Sequence, residues 1–122
     1  MFCPLLPGIA DLQEQVDELV RFAVSINAEE IFVEPVNSRG PGLRLCQNAL
    51  EEAGYYEAAG AIGHIRKRPH WSEYVANLVR TVQSSVRRLS DIRNLRFLLY
   101  PSGLLEADRR RIEQDDEGVV WL

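Results

Sequence analysis

Two short apolar runs dominate the chain: Ile31-Phe32-Val33, which is continuous, and Leu95 to Tyr100 (Leu-Arg-Phe-Leu-Leu-Tyr), broken only by Arg96. Runs without strict alternation suit strands covered on both faces, as in a parallel sheet. Parallel neighbours need a long crossover between them. The segment separating these runs is long enough and carries helical periodicity. Val75, Leu78, Val79, Val82, Val86 and Leu89 recur at i, i+3, i+4 spacing, and Ser72 is a candidate start for that helix. The expected class is therefore an α/β layer structure.

The opening fits the same scheme. Phe2 to Leu6 reads as a short strand, with Pro4 confining it to an edge or an end. Pro7-Gly8 signals a turn. Asp11 is a candidate N-cap with Glu14 as its capping-box partner. Leu12, Val16, Leu19, Ala23 and Ile26 then form one stripe, which Asn27 can close in a left-handed conformation. Glu30 to Val36 is the next strand, stopped at Pro35. Strand, helix and strand make a βαβ opening unit over residues 1–45. Residues 46–122 read as a helical segment followed by late strands, and residues 1–122 as a single α/β domain.

Asn37 to Gly42 is a loop by composition. Leu43, Cys46, Ala49, Leu50 and Ala53 predict a short helix ended at Gly54. A second helix is expected over Glu57 to Ile65, with a break from Arg66 to Pro69. After Leu95 to Tyr100, Pro101-Ser102-Gly103 turns the chain into a charged helix around Leu104 to Glu113. Val119 to Leu122 is a candidate final strand. A partial, barrel-like parallel sheet with flanking helices is expected. Its strands are too few for closure, which takes about eight, and open edges favour pairing with another chain.

Charge is segregated. The first 57 residues hold only Arg21, Arg39 and Arg44 as bases, whereas residues 64–96 hold Arg66, Lys67, Arg68, Arg80, Arg87, Arg88, Arg93 and Arg96 against Glu73 and Asp91. The run His64 to Trp71 is a candidate nucleic-acid contact. Arg66, Lys67 and Arg68 would grip phosphates and Trp71 would stack on a base. The net charge of −4 opposes that reading. Cys3 and Cys46 lie far apart with no metal-ligand spacing and no basic leader before them, so free thiols in a cytoplasmic chain are expected.

The stretch Cys3-Pro-Leu-Leu-Pro-Gly-Ile-Ala-Asp11, then a helix, then Glu29-Glu-Ile-Phe-Val-Glu-Pro-Val-Asn37, resembles the late strands of a radical S-adenosylmethionine (radical SAM) barrel. Within that family the resemblance is to the bacterial spore photoproduct lyase and DNA-repair-photolyase-like group. It covers residues 1–45 best and the rest more loosely. It implies cofactor contacts at Pro7, Gly8 and Ile9, and near the adenosine part at Val33, Glu34 and Asn37. It also implies, in an intact parent, S-adenosylmethionine and a 4Fe-4S cluster held by Cys-x-x-x-Cys-x-x-Cys. That motif is missing here, so the chain is expected to be non-catalytic alone: a truncated product, a fragment or a degenerate relative of a lyase. Its expected partner is the missing N-terminal half, or a second copy at a sheet edge. The other expectation is a non-catalytic α/β interaction module, binding nucleic acid or an acidic partner through residues 64–96.

Overall fold

A computed structural model describes residues 1–122. The chain is a mixed α/β protein: a three-stranded parallel sheet and five α-helices. In chain order these are α1 (Gln13–Ser25), β1 (Ile31–Val33), α2 (Gly42–Glu52), α3 (Tyr56–His64), α4 (Arg68–Leu89), β2 (Leu95–Leu99), α5 (Glu106–Glu113) and β3 (Val119–Trp121). The strands lie side by side in the order β1-β2-β3. Ile31 pairs with Leu95 and Val33 with Phe97; Phe97 pairs in turn with Val119 and Leu99 with Trp121.

The expected first strand shrinks to one bridge. Phe2 pairs with Val33, donating to Phe32 O at 2.8 Å and accepting from Glu34 N at 3.2 Å. Pro4 has no N–H, so the ladder cannot run on through it; pairing resumes only at Leu5, whose N–H reaches Glu34 O at 3.3 Å.

Pleating splits the sheet into two unlike faces. Ile31, Val33, Leu95, Phe97 and Leu99 point toward the helices and are buried. With Val16 and Val20 of α1, Val75, Val79 and Val82 of α4 and Ile112 of α5, they belong to one cluster of 22 buried apolar residues. The alternate residues, Phe32, Arg96, Leu98 and Val120, are half-buried and contribute nothing to that cluster. No helix covers them. Tyr100 and Leu122 continue the same row and are 62% and 51% exposed.

The long central helix starts earlier than its apolar stripe suggests. Pro69 sits in the first turn of α4, where its fixed φ favours a helix and its missing N–H costs nothing. The expected break between α3 and α4 falls at residues 65–67, and α4 begins directly after it, at Arg68 rather than at Ser72. Ser72, the expected N-cap, is instead buried inside the helix. Its hydroxyl donates to Asp108 Oδ2 at 2.6 Å and accepts from Leu105 N–H at 2.8 Å, which ties α4 to the first turn of α5. At α1, Asp11 accepts from Gly8 N–H at 2.8 Å rather than capping the helix, and Gln15 Oε1 takes the Leu12 N–H at 3.2 Å. Asn27 closes α1 at φ +55° as expected.

Polar side chains stitch the helices together. Asp17 of α1 accepts from Ser85, from Arg88 at 2.6 Å and from Gln13 at 3.1 Å. The Arg88 guanidinium, then the Ser85 hydroxyl, hold its carboxyl well below the usual carboxylate range. Buried Gln83 donates to the carbonyls of Asp115 and Glu117 at 3.0 and 2.9 Å and accepts from Arg80 at 2.7 Å. These bonds fix the turn between α5 and β3. No helix is long and apolar enough to cross a membrane.

Candidate strand-end site

The carboxyl ends of β1 and β2 meet α4 around a cleft of about 260 Å³. In open parallel sheets this is where ligands bind. Glu34, Asn37, Arg39, Tyr100 and Ser102 supply its polar groups, Trp71 contributes to its wall, and Leu98 and Leu122 link it to the bare face of the sheet.

One peptide group sets the shape of the cleft. The C=O of Val36 accepts from Trp71 Nε1 at 2.8 Å, and the N–H of Val36 donates to the Tyr74 hydroxyl at 3.3 Å. Trp71 and Tyr74 are three residues apart on α4, hence on one helix face. The Tyr74 hydroxyl also donates to Leu5 O, so a single phenol joins both amino-terminal segments to α4. Burial pushes that phenol well above the ordinary tyrosine range. Asn37 turns the loop onward by accepting from Arg39 N–H at 2.8 Å, and Arg39 reaches across to Ser102 Oγ at 2.5 Å.

The candidate cofactor residues divide between two places. Glu34 and Asn37 line this cleft. Val33 is 1% exposed and its side chain faces the helical core rather than the cleft. Pro7 and Gly8 lie apart from the cleft, on a groove against α3 and α4 that also includes Asp11, His64, His70 and Glu73. Ile9 is partly exposed beside them in the same turn. Stacked imidazoles of His64 and His70, with ring centroids 3.8 Å apart, form one wall of that groove.

Arg39, Tyr100 and Ser102 were not among the candidates. Their one sequence signal was the Pro101-Ser102-Gly103 turn directly after a buried strand. Their meeting with Asn37 depends on the β1-β2 register, which residue types do not encode locally.

The residues present do not fit a four-iron cluster. Such a cluster takes several neighbouring thiolates, and the chain offers Cys3 and Cys46 only. Cys3 Sγ donates to Glu34 Oε2 at 3.2 Å. Desolvation first, then the Glu34 carboxylate, push that thiol up, away from the thiolate a metal needs. Cys46 sits on α2 against the core.

The basic segment is largely engaged within the chain. Arg68 donates to the carbonyls of Gly103 and Leu104, Arg80 to those of Asp115 and Arg111, and Arg66 to the Gln47 amide. Arg87 pairs with Asp115 and Glu117, Arg88 with Asp17, Arg93 with Asp91 and Arg96 with Glu30. Lys67 alone projects without a partner. Trp71 is 6% exposed, its ring packed into the core at the wall of the cleft.

The fold and site thus define a small α/β protein with a strand-end cleft and one uncovered sheet face. No protein family, characterised protein or solved structure matches the chain.

Proposed function

We propose that this protein is a non-catalytic arc of a radical SAM-type barrel, which supplies one wall of a ligand site and is completed by another polypeptide segment that carries the iron–sulfur cluster. The arrangement of the sheet carries the reading. Successive parallel strands are neighbours in chain order, all five helices contribute to the one apolar core under one face of the sheet, and the other face bears Phe32, Leu98, Val120 and Leu122, with Arg96 among them, none of which joins that core. In a barrel the covered side is the outer one and the bare side faces the lumen. Parallel sheets are normally covered on both faces, so this apolar row is suited to meeting further strands. Two open edges, at Phe2 and at β3, offer unpaired backbone groups for the joins.

In this reading the chain contributes Glu34 and Asn37 toward a shared ligand, while the resemblance of residues 1–45 supplies the cofactor: S-adenosylmethionine, beside a cluster bound elsewhere. The DNA-lesion lyase activity belongs to the same resemblance. Anaerobic reconstitution with iron and sulfide, followed by metal and sulfide analysis, tests the assignment. The chain alone is expected to hold no stoichiometric four-iron cluster, and to acquire S-adenosylmethionine cleavage only when joined to a polypeptide bearing Cys-x-x-x-Cys-x-x-Cys. A four-iron cluster on this chain by itself would overturn the reading.

A further inference from the structure

A second pocket, of about 350 Å³, lies beside the loop that borders the strand-end cleft, and Ser38 lines both. Its remaining walls are Gly40, Pro41, Leu43, Arg44 and Arg66. Two guanidinium groups therefore line one small space in which no carboxylate takes part. Seven other arginines, Arg87, Arg88, Arg93, Arg96, Arg109, Arg110 and Arg111, each meet an acid within 4.0 Å. Arg44 is exposed with no acid beside it, and Arg66 bonds only the neutral Gln47 amide, at 3.2 Å. Like charges brought together without a counter-charge are unfavourable, and a dianion relieves that cost. Planar guanidiniums match tetrahedral oxyanions in a way that ammonium groups do not.

Arg66 is oriented by one surface hydrogen bond, to Gln47. Its acceptor Gln47 lies against Gly63 of α3, where an added Cβ would sit 2.6 Å from Gln47 Nε2. Glycine at position 63 lets the Gln47 amide lie close against α3, where Arg66 reaches it. On the other side of the pocket the space beside Gly40 is empty for 4 Å, which leaves room for a ligand and opens the loop backbone to it.

We propose that Arg44 and Arg66 bind the phosphate of a small phosphomonoester whose body runs past Ser38 into the cleft at Asn37 and Ser102. The site stands on these residues and shares only the strand-end cleft with the barrel reading; it requires neither cluster nor second polypeptide. The phosphate takes hydrogen bonds from the two guanidiniums and the Ser38 hydroxyl, and the adjoining cleft selects the rest of the molecule. Gln47 is a positioning residue that acts through Arg66.

Amide chemical shifts of the full chain, followed by NMR during titration with inorganic phosphate and separately with ribose 5-phosphate, test the proposal. Phosphate is expected to move Ser38, Gly40 and Gly42. Ribose 5-phosphate should move these and also Asn37 and Ser102, with tighter binding. Arg44→Gln and Arg66→Gln should each weaken both titrations about tenfold, and both side chains are exposed enough for the variants to keep the wild-type melting temperature. Equal shifts from chloride at matched ionic strength, or unchanged binding in the double variant, would overturn the phosphate site. Phosphate binding with no response at Asn37 and Ser102 to ribose 5-phosphate would overturn the extension into the cleft, while leaving the barrel reading untouched.

Discussion

Replacing Tyr74 with Phe removes one oxygen and leaves the ring, so the result reads the hydrogen bonds and not the packing. The hydroxyl serves two backbone groups, Leu5 C=O and Val36 N–H. A buried group stripped of its partner costs roughly 1–3 kcal/mol. Leu5 is 3% exposed and its carbonyl should bear a cost within that range. The Val36 bond is long, at 3.3 Å, and borders the cleft, where water can replace the phenol. The sum is about 2 kcal/mol, mostly from Leu5. In urea this corresponds to a midpoint lowered by roughly 1 M at unchanged slope. Thermally it is a drop of about 8 °C for a domain of this size. Tyr56→Phe, at a site 73% exposed, is the control and should change nothing. Alkaline pH supplies a second readout. Burial, above all, raises the Tyr74 pKa in the folded state, so above pH ~10 the unfolded chain ionises its phenol while the folded chain resists. Stability contributed by Tyr74 is intact below that pH and falls as pH rises, and Tyr74→Phe should lack this component. A loss under about 0.5 kcal/mol with an unchanged slope would refute the claim that this phenol joins the two segments to α4.

Two more substitutions probe the polar stitching. Asp17 is held below the ordinary carboxylate range by Arg88 first and Ser85 second, so its contribution is present above pH ~4 and lost as pH falls further; Asp17→Asn should lower the melting temperature at neutral pH and flatten its decline in acid, as read by melting curves from pH 7 to 3. Gln83→Ala removes both bonds to the α5-β3 turn and leaves a hole in the core, which should cost about 3 kcal/mol and speed amide exchange at Val119 and Val120.

The long-range alternation of strands and helices was legible because it rests on local periodicity. The stripe from Val75 to Leu89 marks α4, and Asn27 ends α1 where its short polar side chain tolerates positive φ. Proline was read correctly in kind: the stretch Arg66 to Pro69 does separate α3 from α4, and Pro4 confines amino-terminal pairing to the Phe2 edge bridge. What local reading missed was where α4 begins, at Arg68 and not at Ser72, because a helix needs no N–H in its first turn and Pro69 fits there. At the site, Glu34 and Asn37 were legible as polar residues just past a buried strand. Pro7 and Gly8 were not separable from them, since their distance depends on how the turn packs on α3. The engagement of residues 64–96 was equally hidden: the acids facing Arg87 and Arg88 are Asp115 and Asp17, remote in the chain and adjacent only once α1 and α5 flank α4.

The indole of Trp71 grips the peptide at Val36 and also borders the cleft that this peptide shapes. A molecule settling there would displace water beside the ring or strain its bond, and either event alters fluorescence. The only other tryptophan, Trp121, lies on β3 beneath Arg109 and can be silenced by Trp121→Phe. The protein thus carries an intrinsic optical probe of its own occupancy, ready for screening compounds without a label.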